Sequence, residues 1–352
     1  IFIKYLTCFN FVNYSCYNSC MNKKTLLMLS IFSVLASSCG KNAYDPVKVY
    51  KFNYGHMDED VMPISGWVAP SAMMDCNTLE QYQILKESGL NSIYALYEMY
   101  GTFDTSLSGH RFDGTEEVYK ALDYASQVGI KYFVKDPYLW GKRGDSFKEA
   151  FESRHFTDYD SFAGFHYTDE PRNQEAFDTI RDAYNLFKKY VPQDYAFYVN
   201  QLPMEYYINN HGSAKDYKAH LKAYVDTVNP RFLSYDFYAP LGRFPSIKHL
   251  YYQQLTIFSD FASDRKLPFW AFALSSGHEF LNGTYYREPT EADIYWQVNT
   301  VLAYGAKGLQ YFCYQTPAPA DRGGQEFYVG KGGSIVNEKG ENVSDSYKIK
   351  VK

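Results

Sequence analysis

Short apolar and aromatic runs alternate with stretches of helical periodicity from about residue 60 onward. Nearly continuous apolar runs of this length are typical of parallel strands that are covered on both faces. Eight such runs are present, and their first residues lie on average about 35 residues apart, the length of one strand–helix unit. The eight predicted strands are 64–69, 90–97, 130–136, 162–168, 195–200, 232–238, 268–274 and 308–314.

The segments between the runs show helix signals. Residues 173–190 place four apolar side chains on one face, and 245–265 repeat this pattern behind a proline in the first turn. Thr290 with Asp293 forms a capping-box pattern at the start of another helix. Eight alternating units in about 250 residues favour an α/β fold of the (β/α)8 TIM-barrel type over an open doubly wound sheet. No Gly-x-Gly-x-x-Gly motif follows the first run, which removes the usual support for a dinucleotide-binding sheet.

The eighth unit has no convincing amphipathic helix in the sequence. After Tyr314 the chain passes through Gly- and Pro-rich sequence, and 347–352 is the place where such a helix would begin. Two interpretations stay open at this point: the chain is truncated or frame-shifted, or the barrel closes without its last helix. A truncated barrel would leave part of the outer surface of the first and eighth strands exposed, at a cost in stability.

The first 59 residues are predicted to lie outside the barrel, which is assigned to 60–352. Residues 21–39 combine two lysines, an apolar run and small residues before Cys39, the pattern of a secretory signal. Cys39 directly after small residues resembles a bacterial lipobox, which predicts lipidation and an outer-membrane or cell-surface lipoprotein. An ordinary cleavage site, and then a periplasmic protein, is the alternative. Residues 1–20 are expected to be an upstream stretch translated from a wrong start, and 40–59 a linker.

Composition and charge narrow the function classes. The 352 residues are 46% hydrophobic and 21% charged, so the chain can bury a large core. A net charge of −5 argues against a nucleic-acid partner and favours a neutral substrate over a polyanion. Beyond Cys39 only Cys76 and Cys313 remain, so neither a disulfide framework nor a cysteine metal cluster is expected. No cofactor is expected. The 36 Tyr and 26 Phe exceed the needs of a core and suggest an aromatic cleft.

Barrels of this kind build their active sites at the carboxyl ends of the strands. This end of the barrel is called the mouth, and catalytic residues are expected there. No His-x-His pair, His-Glu-x-x-His motif or Gly-x-Ser-x-Gly turn occurs at these positions. Carboxylates among aromatic rings are what glycoside hydrolysis requires, with one acid protonating the leaving oxygen and a second acting as nucleophile or base. The predicted strand-end positions are Trp67, Glu98, Asp136, Asp169, Glu170, Asn200, Asp236, the loop 275–279 and Gln315.

Glu170 is the leading catalytic candidate. It lies near the end of the apolar sequence Phe-Ala-Gly-Phe-His-Tyr-Thr-Asp-Glu-Pro (162–171). Desolvation there would raise its pKa towards the range of a general acid. Adjacent residues of a strand point to opposite sides, so Asp169 and Glu170 are not expected to face the mouth together. The competing interpretation is that both acids have no catalytic role and only stabilise the N-terminus of the following helix through their negative charge.

Asp236 is the leading second carboxylate, in the context Tyr-Asp-Phe-Tyr at the end of the sixth predicted strand. A structural acid that binds loop amides is an equally weighted interpretation of Asp236, and Glu98 and Asp136 are weaker catalytic candidates. Trp140 and Tyr314 are additional candidate sugar platforms. The predicted substrate-binding residues are Trp67, His166, Asp169, Asn200, Tyr238, Trp270 and Gln315.

These residues resemble the large glycoside hydrolase clan of TIM barrels that carries an Asn-Glu-Pro motif on strand four. The segments 234–240, 269–274 and 311–317 also look like strands six to eight of barrel hydrolases from Bacteroidetes, so the resemblance covers about residues 60–335. It implies that Glu170 is the general acid/base. Two departures bear on this: Asp169 replaces the Asn, and no Glu ends strand seven, where the clan keeps its nucleophile. Glu279 follows only in the loop.

Two further function classes stay open. A glycan-binding lipoprotein on a degenerate barrel would explain the absence of a glutamate at the end of strand seven. A structural surface protein without a ligand is the third.

Overall fold

Eight parallel strands close into a barrel in the computed structural model of the protein. The structure describes residues 61–104, 111–238, 241–242, 248–280, 285–316, 327–329, 334–337 and 339–341. All of them belong to one compact unit, Lys51–Lys352. The leader, the signal, Cys39 and the whole predicted linker lie outside the described residues, so these parts of the sequence stay predictions.

Each of the eight predicted runs overlaps one barrel strand, and the TIM-barrel prediction is confirmed. Every strand pairs in parallel with its neighbours, and the first strand closes the ring by pairing with the eighth through Ile64 and Leu309. Strands 1 to 8 are Ile64–Gly66, Ser92–Met99, Lys131–Lys135, Phe162–Asp169, Ala196–Gln201, Leu233–Tyr235, Phe269–Leu274 and Gly308–Phe312.

Helices pack around the ring and confirm the helix signals of the sequence. The predicted stretch 173–190 is a helix whose N-cap, Asn173, accepts a hydrogen bond from the Ala176 amide at 2.9 Å. Thr290 and Asp293 form the predicted reciprocal capping box. Helices α1 to α8 are Leu79–Glu87, Gly114–Val128, Gly144–Glu152, Gln174–Tyr190, Met204–Asn210, Ala214–Val228, Lys248–Arg265 and Glu291–Ala303, with short 3-10 turns at Ala72–Met74 and Phe156–Asp158.

Small antiparallel sheets follow the carboxyl ends of three barrel strands. A hairpin after strand 2 pairs Thr102–Asp104 with Arg111–Asp113. A second sheet places His278–Phe280, which follows strand 7, between Tyr285–Tyr286 and Phe327–Val329. These additions extend the loops at the mouth.

After strand 8 the described part of the chain contains no helix. Instead, Val336 runs beside the end of that strand: its amide donates to the Tyr314 carbonyl at 2.8 Å, and its carbonyl accepts from the Thr316 amide at 3.0 Å. Ile335 and Val336 are both buried. Both side chains therefore join the hydrophobic core beside the residues that follow strand 8. Residues 347–352 lie outside the described residues.

Aromatic side chains fill the interior of the ring. Trp270 has no exposed surface and stacks on Phe232 with the ring centroids 4.4 Å apart. It lies near the amino end of strand 7, where a Cβ on Gly308 would come within 2.5 Å of the indole. Glycine is therefore required at position 308 because the indole occupies the space of a side chain. Trp270 is a core residue, contrary to the prediction that it binds substrate.

Candidate active site

Three carboxylates meet at the mouth, at the ends of strands 4 and 6. Asp169 is the last residue of strand 4, Glu170 follows it, and Asp236 follows strand 6. Asn200 of strand 5 lies in register between Asp169 and Ser234. Its Nδ2 donates to Asp169 Oδ1 at 3.0 Å and to Asp236 Oδ1 at 2.8 Å. Because both oxygens bind one nitrogen, they lie within about 6 Å of each other.

Asp169 and Glu170 both face this cluster, so the expectation that only one of them could do so is wrong. Glu170 has left strand geometry: its φ is 48°, in the left-handed region that residues other than glycine rarely adopt. Its amide still donates to the Asn200 carbonyl at 3.0 Å, which ties the turn to strand 5. The turn breaks the alternation of side chains, and strain of this kind is often kept at functional sites.

Burial and mutual repulsion shift the proton equilibria of the cluster. Desolvation, with the charges of Asp236 and Asp169, raises the pKa of Glu170 to about 9. Desolvation and the Asp169 charge raise the pKa of Asp236 to about 7, while the Asn200 hydrogen bond opposes the rise. The pKa of Asp169 is also raised by desolvation, against the same Asn200 bond and the Lys135 charge. At neutral pH, Glu170 therefore carries a proton.

Solvent still reaches the three acids. Asp169 is exposed by surface area, and Glu170 and Asp236 are half-buried. Their raised pKa values arise because protein surrounds them on most sides of a recessed mouth, which removes part of their hydration without closing the site. Such a place can admit a ligand and keep a carboxylic acid protonated at the same time.

Lys135 and Arg172 provide the nearby positive charge. Lys135 ends strand 3 and is half-buried; burial lowers its pKa, and the charge of Asp169 opposes that effect. Arg172 is exposed and lies over the Tyr206 ring at 4.9 Å. From the sequence, Lys135 was interpreted only as a residue that could pair with a neighbour, and it was not predicted to belong to the site. Its position two residues after Phe133, which faces the barrel interior, is the signal that could have identified it.

Trp67, His166 and Tyr238, three predicted substrate-binding residues, lie around the base of the mouth. The Trp67 and His166 rings meet edge to face, with centroids 4.7 Å apart. Burial and the Lys135 charge lower the pKa of His166 to about 3, so the ring is neutral, and its Nδ1 donates to the Ala95 carbonyl at 3.0 Å. All three side chains are at most 7% exposed, so only their edges are open to a ligand.

Three other predicted contacts do not line the mouth. The Gln315 side chain is 1% exposed, and its Oε1 accepts from the Ser71 amide at 2.8 Å, which joins the loops after strands 1 and 8. Trp140 packs against Phe165 and Phe197 on the outer side of the strands. Tyr314 has no exposed surface. Together with Trp270, these residues show that a strand-end aromatic or amide often serves packing.

Glu98 and Asp136 have structural partners. Glu98 Oε1 accepts from the Ala72 amide at 2.6 Å, and the residue is 1% exposed. Asp136 Oδ1 accepts from the amides of Tyr138 and Leu139, and Oδ2 pairs with Arg154 Nε at 3.0 Å. Both carboxylates therefore hold loop backbone in place.

Asp136→Ala is expected to lower the free energy of unfolding by about 3–5 kcal/mol, because it leaves the Arg154 charge buried without its partner. Chemical denaturation measures this loss. The control is Asp178→Ala, which removes an exposed pair with Arg181 at 2.6 Å and should cost less than about 1 kcal/mol. Equal losses of unfolding free energy in the two variants would show that the Asp136–Arg154 pair stabilises the fold no more than an exposed pair does.

Two further mouth residues were not identified from the sequence. Glu205 lies in the first turn of α5, and burial raises its pKa to about 7. Tyr286 packs edge to face on Tyr238 at 5.8 Å, and the carboxylates of Glu205, Asp236 and Glu170 help to raise its pKa. Glu205 lies in a seven-residue helix and Tyr286 in a two-residue strand, and elements this short carry no periodicity that would indicate the direction of a side chain.

Within the described ranges, no group of three or more His, Cys, Asp or Glu side chains is arranged to hold a metal ion. In the same ranges, no helix has both the length and the apolar character needed to cross a membrane.

Comparisons with known proteins show the fold. No protein-family model matches the chain, and no curated protein matches it in sequence. A candidate α-L-fucosidase from Bacteroides thetaiotaomicron has a TM-score of 0.52 at 12% identity, over 77% of this chain and 92% of that one. An exo-β-1,4-mannosidase from an Opitutaceae bacterium has a TM-score of 0.49 at 10% identity, over 82% and 58% of the two chains. A class V chitinase from Pseudomonas fluorescens has a TM-score of 0.45 at 11% identity, over 72% and 95%.

At 12% identity, the likeness to the candidate fucosidase structure shows the fold alone, so function has to be argued from the site.

Proposed function

We propose that the protein hydrolyses glycosidic bonds of a neutral oligo- or polysaccharide, with Glu170 as general acid and Asp236 as second carboxylate. The observation that carries this proposal is the gathering of three acids at the mouth: Asp169 and Asp236 share the Asn200 amide, and their charges together with desolvation raise the pKa of the neighbouring Glu170. Neighbouring carboxyl groups whose pKa values are driven apart are the arrangement that acid/base hydrolysis of glycosides needs. The barrel fold shared with glycosidases supports the same conclusion.

In the proposed reaction Glu170 gives its proton to the glycosidic oxygen as the bond to the anomeric carbon breaks, and the bonding electrons leave with that oxygen. Positive charge develops on the sugar ring, and the Asp236 carboxylate stabilises it. In one route Asp236 bonds to the anomeric carbon, and a water that gives a proton back to Glu170 then displaces it. In the other route Asp236 takes a proton from a water that attacks the anomeric carbon directly. Asp169 shares the Asn200 amide with Asp236 and keeps a second negative charge close to the developing cation.

A screen of neutral oligosaccharides, with products separated by chromatography, tests the proposal on protein that begins at residue 40. Released shorter sugars support it. The anomeric form of the first product, read by proton NMR, distinguishes direct attack by Asp236 from attack by water. Absence of any product across α- and β-linked neutral glycans would contradict the proposal.

Glycan binding without hydrolysis is the second candidate function. The observation that favours it is the end of strand 7, where Leu274 is followed by Ser275 and Ser276. The glutamates close to this end are Glu279, in the next strand, and Glu288, whose Oε2 accepts from the Gly277 amide at 2.9 Å. Retention on a polysaccharide gel without release of sugar would select this function.

The pH dependence of kcat/KM is expected to be bell-shaped with a maximum near pH 8. The active form needs Asp236 ionised and Glu170 protonated, so activity rises as pH passes about 7 and falls as it passes about 9. Initial rates in buffers of constant ionic strength measure the profile. A profile that falls steadily from pH 5 upward would assign the acid to a group of ordinary pKa.

Export and lipid anchoring through Cys39 remain proposals from the sequence of residues 21–39. A surface location would suit a protein that meets polymeric glycans before uptake.

A further inference from the structure

A chain of buried polar side chains crosses the barrel interior beneath the carboxylates. It consists of Tyr94 in strand 2, Tyr198 in strand 5, Ser234 at strand 6 and Gln310 in strand 8, and is called here the buried polar chain. None of the four residues has exposed surface. Buried polar groups in a ring otherwise filled by aromatic side chains are costly unless they are hydrogen-bonded, so their arrangement needs an explanation.

The hydrogen bonds of this chain lead towards the mouth, and in one further contact, between the Tyr198 hydroxyl and Ser234 Oγ at 2.8 Å, either group can donate. The hydroxyls of Tyr94 and Tyr198 each donate to Gln310 Oε1 at 2.7 Å. Gln310 Nε2 donates to Ser234 Oγ at 2.8 Å, and Ser234 Oγ donates to Asn200 Oδ1 at 3.0 Å. The Asn200 Nδ2 group is then the one that faces the two carboxylates.

We propose that Gln310 and Ser234 are positioning residues of the candidate active site, which set the orientation of the Asn200 amide so that its Nδ2 holds Asp169 and Asp236 together. The catalytic meaning of this role rests on the proposed function. The orientation itself does not, because it follows from the direction of donors and acceptors.

The amide of Asn200 has two orientations related by a half-turn of the side chain. With ionised carboxylates the observed one is favoured, because the other would direct Oδ1 at two negative oxygens. Once a carboxyl group takes up a proton, that preference weakens. Ser234 then sets the orientation: its Oγ accepts from Gln310 Nε2 and, with Tyr198 as the donor in their 2.8 Å contact, keeps its own proton for Asn200 Oδ1. The chain therefore keeps the amide donor on the carboxylates throughout their titration.

Strands 5 and 6 each carry one residue of the buried polar chain and one residue of the carboxylate cluster. Tyr198 and Asn200 lie two residues apart in strand 5, and Ser234 and Asp236 lie two residues apart at strand 6, so each pair faces the interior. Any movement of one strand would shift a chain member and its carboxylate contact together. This coupling is expected of positioning residues, and a filler of the barrel interior would not require it.

Ser234→Ala in the full chain tests the proposal. The variant leaves Asn200 Oδ1 without its donor, so the amide can turn away and its bonds to Asp169 and Asp236 weaken. Since those bonds lower the pKa of both acids, the acid limb of the kcat/KM profile should move up by about one pH unit. At pH 6 kcat should fall about tenfold, with KM little changed.

Other groups around the carboxylate pair stay in place in this variant, so they do not account for a shift. The charged or titratable groups that face the pair are Glu170, Lys135, Arg172, Tyr198, Tyr217, Tyr235, Tyr238 and Tyr286.

The control is Ser161→Ala, which also removes one buried serine hydroxyl, bonded to the Leu122 carbonyl at 2.6 Å, just before strand 4 at the opposite end of the barrel. It should leave the profile where it is. If Ser234→Ala fails to fold, Tyr94→Phe removes one of the two donors to Gln310 and should shift the limb in the same direction by a smaller amount.

Carbon-13 NMR titration of the aspartate carboxyl groups gives a readout that needs no substrate. A higher pKa of Asp169 and Asp236 in Ser234→Ala than in the parent protein supports the positioning role, even if the parent hydrolyses no glycan and the proposed function fails. If carboxyl titration and pH profile both match the parent while Ser234→Ala is as destabilised as Ser161→Ala, the proposal is overturned and the buried polar chain only fills the barrel.

Discussion

Glu170→Gln should lower kcat on a responsive glycan by about a thousandfold while the barrel stays folded. The substitution keeps the shape of the side chain and removes the proton that the raised pKa of Glu170 retains at neutral pH. Steady-state kinetics on the substrate found by the oligosaccharide screen measure the loss, and circular dichroism with thermal unfolding verifies the fold.

A second substrate makes this test specific for the acid role. An aryl glycoside with a good leaving group needs little protonation, so the loss of kcat in Glu170→Gln should shrink to about tenfold or less on it. The matched control is Glu175→Gln, an exposed glutamate in the first turn of α4, which should keep full activity. Unchanged turnover in Glu170→Gln would remove Glu170 from the mechanism, and equal losses on both substrates would assign it another role.

Asp236→Asn should lower kcat by about a hundredfold to a thousandfold on both kinds of substrate, because the second carboxylate acts whatever the leaving group. It should also move the alkaline limb of the pH profile to lower pH. After desolvation, the charge of Asp236 is the first cause that raises the pKa of Glu170, and the neutral amide removes it.

Asp169→Asn separates the two aspartates that share the Asn200 amide. It removes the weaker of the two negative charges that raise the pKa of Glu170. The alkaline limb should therefore shift to lower pH by less than in Asp236→Asn, and kcat should fall by less. A larger loss in Asp169→Asn than in Asp236→Asn would reverse the assignment of the second carboxylate. Kinetics of the two variants against pH, in parallel with the parent, decide between these outcomes.

The residues of the carboxylate cluster could be recognised from the sequence, but the contacts among them could not. Glu170, Asp236, Asp169 and Asn200 were all recognised as strand-end positions, because an apolar run that stops at a polar residue marks the mouth. Their mutual arrangement was not predictable, since it depends on the register between strands 4, 5 and 6. The left-handed turn at Glu170 overrode the alternation rule, because the residue had already left the strand.

The predicted aromatic contacts show the opposite outcome. Trp270 and Gln315 have the residue types that bind sugars, yet one lies near the amino end of its strand and the other is bonded to the Ser71 amide. Residue type and approximate position along a strand do not reveal depth in the barrel. Depth depends on strand tilt and on which neighbour leaves space, as Gly308 does for Trp270.

The alternation of apolar runs and amphipathic segments determined the class of fold, the number of barrel strands and the end of the barrel where the acids gather. These features follow from local periodicity and from the burial of each strand on both faces, so they can be read along a single chain. Only the tertiary structure decided which acids share an amide, which carboxyl keeps its proton and which polar side chains orient the site. Those properties depend on contacts between residues of different strands, and such contacts exist only after the ring has closed.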